Sequence, residues 1–182
     1  MEEELPPVHN YVYSSEMVEF VKAANACCDY LEQLKGTEGR AFIADSVRLL
    51  SAVYATLIVT GGTEPVFDSP AEPTVTEQEW SELFQRVAQI LGPYNDVLRI
   101  AEEGEFDRSE LVNHTISEDL SDLYQELKDF TSIYSRGIEE LMNDAAWELK
   151  ERFAEHWGIK LLRALLSLHR LYVNGIDPTE RE

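Results

Sequence analysis

Residues 116–134 read ISEDLSDLYQELKDFTSIY, and this stretch decides the fold class. Ile116, Leu120, Leu123, Leu127, Phe130 and Tyr134 recur at steps of three and four, the period that stacks side chains on one face of an α-helix. Ser117 stands where a helix N-cap belongs, with Glu118 and Asp119 in the first turn, where carboxylates complement the positive end of the helix dipole. Gly137 closes the segment. Beside the apolar face, Asp119, Asp122, Glu126 and Asp129 form an acidic arc at offsets of three, four and three.

Towards the C-terminus, Met142, Ala145, Ala146, Leu149, Phe153, Trp157, Leu161, Ala164, Leu168 and Tyr172 keep helical phase across Gly158. That phase predicts one long C-terminal helix, whose natural place to bend is Gly158. Arg152, His156, Lys160, Arg163 and Arg170 form a basic arc on it. If this helix and the preceding one are antiparallel neighbours, the two arcs of opposite charge meet. Trp147 and Trp157 sit on or beside the apolar face and read as core anchors.

Towards the N-terminus, Met17, Phe20, Val21, Ala24, Cys28, Leu31 and Leu34 define a helix from Ser15 that stops at Gly36. Residues 40–60 carry a broader apolar face and read as a second, central helix. Three prolines, Pro65, Pro70 and Pro73, make 61–75 a surface loop. Thr76 and Glu79 then have capping-box spacing for a third helix, through Trp80, Leu83, Phe84, Val87 and Leu91, closed by Gly92-Pro93. Residues 1–13 read as an irregular arm and 174–182 as a frayed tail. In 94–115, Val97, Leu98 and Ile100 fit either a short helix or an isolated strand. The expected fold is therefore all-α, a single-domain bundle of about five helices spanning 1–182.

Fifteen Lys and Arg against thirty-five Asp and Glu give a formal charge of -20, which opposes nucleic-acid backbones and anionic membranes at long range. The longest charge-free apolar run, 49–60, is too short to span a bilayer. The acidic start, followed by Pro6-Pro7, lacks the basic and apolar regions of a secretory signal, so a cytoplasmic location is expected. Cys27 and Cys28 are adjacent and form no CxxC motif; they read as buried small side chains.

Four stacked carboxylates invite a comparison with all-helical nucleotide pyrophosphohydrolases, which hold magnesium between paired acidic motifs on facing helices. Glu126-x-x-Asp129 fits one half, but its counterpart reads Glu140-x-x-Asn143. A metal-dependent phosphohydrolase using Asp119, Asp122, Glu126 and Asp129 is thus the alternative reading, and a solvated or salt-bridged face the preferred one. Arg163 and His169 match the loose spacing of helical ribonucleases, yet they lie apart around the helix and the net charge opposes RNA. His9, His114, His156 and His169 make no HxxxH, HExxH or ExxH pair, and no P-loop, Rossmann or nucleophile-elbow pattern occurs.

Residues 117–130 (SEDLSDLYQELKDF), with 142–147 (MNDAAW), Trp157-Gly158 and 164–169 (ALLSLH), resemble the bacterial domain of unknown function 5063 family, common in Bacteroidetes. The resemblance implies a helical, cytoplasmic, single-domain protein and transfers no catalytic role to any residue. The function expected is accordingly a non-enzymatic interaction or scaffold protein. It would need no cofactor and bind neither nucleic acid nor membrane; its partner would be another protein, met by Arg152, His156, Lys160, Arg163 and Arg170.

Overall fold

A computed structural model describes residues 7–67, 72–100 and 111–180. The chain runs through α1 (Val8–Val12), α2 (Ser15–Glu32), α3 (Gly39–Leu57) and α4 (Glu77–Leu91), then a β-ribbon of β1 (Asp96–Ile100) and β2 (Leu111–Thr115). It continues through α5 (Ile116–Tyr134), α6 (Glu139–Arg152), a π turn (Phe153–Trp157) and α7 (Gly158–Val173). The last three run on without a break, forming the long C-terminal helix of 35 residues. The fold is all-α apart from the one two-stranded ribbon.

Helix α5 is the axis of the bundle: it packs on α2, α4, α6 and α7, while α3 lies between α2 and α7. Its Leu120, Leu123, Leu127 and Phe130 are buried at the spacing read above, together with Phe20 of α2, Leu50 of α3, Val87 of α4 and Leu161 of α7. Cys27 and Cys28 are buried free thiols in the same core. Trp157 is fully buried with its Nε1 donating to the Leu149 carbonyl at 3.0 Å, whereas Trp147 is only half-buried.

Local signals act as their chemistry demands. Thr76 and Glu79 close the capping box on α4. Helix α5 is capped two residues earlier than Ser117: Thr115 accepts from the Glu118 amide. Ser117 is instead drawn into the core by Asn95, whose carboxamide oxygen accepts from the Ser117 amide at 2.9 Å and whose amide nitrogen donates to the Ser117 hydroxyl at 3.0 Å. That clasp ties the start of the ribbon to the start of α5.

Three expectations need correction. The arm thought irregular to residue 13 contains α1, because Tyr11 and Val12 find core contacts and the Tyr134 hydroxyl donates to the Val12 carbonyl. Residues 94–115, read as one element at most, pair as an antiparallel ribbon with Asp96 opposite Thr115 and Ile100 opposite Leu111; 101–110 lie outside the described residues. The tail does not fray at once: Gly175, at φ +64°, lets the chain turn back, and Pro178 packs against Gly39 at the start of α3.

The described parts of the proline-rich loop, 61–67 and 72–75, are exposed or half-buried, and they are pinned. Lys150 donates to the carbonyls of Thr60 and Gly61 at 2.8 and 2.7 Å, and Asn143 bonds Thr63 and Glu64. Asp144 accepts from the amides of Val66 and Phe67, both at 2.7 Å. No helix among the described residues is long and apolar enough to cross a membrane.

Candidate functional site

The two charged arcs meet along the seam between α5 and the C-terminal helix. Asp122 accepts from Lys160 and, through its other oxygen, from Trp80 Nε1 at 2.8 Å. Glu126 accepts from Arg152 at 2.6 Å, and Arg152 also lies 3.7 Å from Glu148. Burial raises the Glu126 carboxyl above its ordinary range, against the pull of Arg152. Asp129 faces the other way and holds the loop, accepting from the Thr74 amide and hydroxyl at 2.6 and 2.7 Å and from the Val75 amide at 2.8 Å.

Asp119, the fourth member of the acidic arc, is only 4% exposed. Its carboxylate lies 3.5 Å from His114 Nε2 of β2. Burial pushes it up to about 7, while Arg163 and Lys160 of α7 pull it down. The four carboxylates therefore do three separate things: one is buried beside His114, two pair with the C-terminal helix, and one holds a loop. Among the described residues no group of three or more His, Cys, Asp or Glu is placed to hold a metal ion.

The cleft between α2, α4 and α5, about 320 Å³, is closed on itself by internal pairs. Lys128 lies 2.6 Å from Glu32, and the Tyr124 hydroxyl donates to the same carboxylate at 2.9 Å. These groups satisfy one another, and Glu79, Glu82 and Arg86 complete the polar lining. Such a network specifies how the helices dock.

The feature that is not used internally is the outer face of α7. Its inner face buries Leu161, Ala164 and Leu168. Ile159, Leu162, Leu166 and Val173 project from the opposite side, with Leu166 52% and Val173 60% exposed. Their offsets of three, four and seven form a single apolar row about four turns long, the a/d spacing of a helix–helix seam, with His169 at the one missing position. The spacing is plain in the sequence, but it is masked there by the stronger inner face. Of the basic arc, Arg152 and Lys160 are turned to α5 and Arg163 is half-buried, while His156 and Arg170 stay exposed. No acidic residue occurs from 156 to 176.

Residues 11–174 match the family described as Domain of unknown function (DUF5063), and the chain belongs to that family. It is similar to protein BF1032 from Bacteroides fragilis, whose crystal structure aligns with a TM-score of 0.79 at 29% identity over 88% of this chain and 94% of that one. No curated protein matches the chain.

Proposed function

We propose that this protein is a non-enzymatic interaction protein of the cytoplasm that docks a helical segment of another protein on the outer face of α7. The observation that carries the reading is the exposed row Ile159, Leu162, Leu166 and Val173 on a helix whose inner face already fills the core. An ordinary surface helix has one apolar stripe and a polar back. A second, continuous stripe costs solubility without stabilising the monomer, and contiguous exposed apolar surface of this kind marks interaction sites. The adjacent, unlinked thiols of Cys27 and Cys28 agree with a reducing compartment.

A photoreactive amino acid placed at Leu166 in the native cell tests the proposal. The expected result is one crosslinked protein species, whose identified partner then binds the purified chain. Leu166→Glu should weaken that binding by at least about tenfold, the usual loss at a central apolar anchor, and Glu19→Lys on α2 should not change it. Equal affinity of the Leu166→Glu protein overturns the reading, provided its circular dichroism is unchanged.

A further inference from the structure

We infer that the base of the β-ribbon is a proton-operated joint: the ribbon sits closed on α5 while the Asp119 carboxyl holds its proton, and loosens when that proton is lost. The joint is separate from whatever docks on α7. Strand β2 runs into α5 without a loop, since Thr115 ends the one and Ile116 begins the other. Between described residues, the hydrogen bonds that tie the ribbon to α5 come from its base. The Asn95 carboxamide clasps Ser117, the Asn95 carbonyl accepts from the Ile116 amide at 3.0 Å, and the Thr115 hydroxyl caps α5. None of these groups titrates. His114 and Asp119 lie beside them with Nε2 and Oδ2 3.5 Å apart, and both do.

Asp119 is nearly sealed from water, and its Oδ2 has no hydrogen-bond partner among the described residues. A neutral carboxyl tolerates such a place better than a carboxylate, because an unsatisfied buried charge costs far more than an unsatisfied buried polar group. Burial accordingly pushes the carboxyl up to about 7, against the pull of Arg163 and Lys160 of α7, and Glu118 and Asp122 of α5 add to the rise. Lys160 is itself held by Asp122. With His114 of β2, these are the charged and titratable groups among the described residues that face Asp119.

An ionised Asp119 gains by reaching water, and the element least bound is the one that yields. Helices α5 and α7 are fixed in the core by Leu120, Leu123, Leu161 and Ala164. The ribbon packs only a half-buried Val97 against that core beside His114, and presents Leu98 to solvent. Elements with little buried apolar surface open at the lowest free energy. The joint therefore gives way at His114, over Asp119, with the Asn95–Ser117 clasp as its pivot. In the closed form the carboxyl binds its proton more tightly than in the open form, where it returns towards its ordinary 3.8. The closed form is thus favoured at low pH, and that advantage is lost as pH rises to about 7.

Native-state hydrogen exchange of the full chain across neutral pH tests the joint, with protection taken relative to an unstructured peptide at the same pH. The paired amides of β1 and β2 should be less protected than those of Leu123 and Leu127 in α5, and should respond only weakly to low denaturant. Their protection should fall by up to about tenfold per pH unit and level off at about 7. Asp119→Asn keeps the shape and cannot ionise, so ribbon protection in that variant should not change with pH. Wild-type ribbon protection that is flat with pH overturns the joint, whatever the variant does. Protection that rises with pH means that opening takes up a proton; His114 is then the operating group, and the assignment to Asp119 is overturned. A fall that persists in Asp119→Asn overturns it equally. Ribbon amides that exchange only together with those of α5, at the same denaturant sensitivity, show that the proton acts on the whole fold and that no local joint exists.

Discussion

Replacing Gly158 by alanine should destabilise the protein, although the same change in most helices does the opposite. In an ordinary helix interior Gly→Ala gains about 1 kcal/mol from backbone entropy. Gly158 follows the π turn, and its amide donates to the Phe153 carbonyl five residues back. A Cβ at 158 would stand 2.5 Å from that oxygen and 3.1 Å from two atoms of the Phe153 ring. Neither can yield freely. The carbonyl is backbone, and the ring is held against Trp157 at 4.6 Å and Tyr54 at 5.7 Å. Overpacking of this kind costs about 1–3 kcal/mol, and contact with backbone puts the cost at the upper end. Net of the helix gain, the loss is about 2 kcal/mol. Urea unfolding followed by circular dichroism and by tryptophan fluorescence should show the midpoint falling by about 1 M at an unchanged slope near 2 kcal/mol/M. The consequence reaches the outer face of α7. A π turn carries one residue more than an α turn, so its loss rotates α7 by about 100° relative to α6 and moves Leu166 away from its present outward position. A midpoint that rises with Gly158→Ala would refute the reasoning, because it means the π turn relaxes to α-helix without strain and packing around Trp157 does not enforce it.

Asp122→Ala and Lys160→Ala, alone and together, should show a coupling of about 0.5–1 kcal/mol in a double-mutant cycle, reduced by added salt; additive free energies would mean that the charged arcs do not interact. Burial raises Asp119 from its ordinary 3.8 to about 7, so the folded protein holds a proton that the unfolded chain has lost between those limits. Stability should therefore fall as pH rises from about 4 to 7, and Asp119→Asn should flatten that slope. The groups facing Asp119 are His114 of β2, Lys160 and Arg163 of α7, and Glu118 and Asp122 of α5; an unchanged slope in the variant would show that Asp119 is not its source. Cys27 lies in the core with its thiol pushed up to about 12 by burial, and Cys28 is raised in the same direction. Thiol reagents should label both only as fast as the protein unfolds, and rapid native labelling would place them outside the core. Asp129→Ala removes the acceptor for three bonds to Thr74 and Val75, so limited proteolysis should cut the 61–75 loop sooner while the melting temperature drops only slightly; an unchanged cutting rate would mean that the other anchors hold the loop without it.

What the sequence reveals and what it hides follow from the same rule. A periodic pattern reports the strongest face of a helix and is silent about a second one. The inner face of α5 was legible because Leu120, Leu123, Leu127 and Phe130 have polar neighbours to contrast with. In α7 the contrast fails: Leu161, Leu162, Leu165, Leu166 and Leu168 crowd one short stretch, and only the packing separates the inner row from the outer one. The π turn was hidden for a related reason. Leu149, Phe153, Trp157 and Leu161 step by four each time, which a straight α-helix of 3.6 residues per turn drifts away from. The sequence records the drift, and the fold absorbs it in a single widened turn at Phe153–Trp157. The ribbon escaped because half of its pairing partner lies across a gap of ten residues, a distance over which strand periodicity carries no signal. The acidic arc shows the limit for site residues. Its spacing on one helix was read correctly, but a ligand set needs carboxylates that converge from several elements. Here the neighbours of Asp122, Glu126 and Asp129 turn out to be Lys160, Arg152 and the Thr74 backbone. Convergence is a property of packing, so a helix that looks like half of a metal site can serve instead as the member to which the C-terminal helix, the proline loop and the ribbon are fastened.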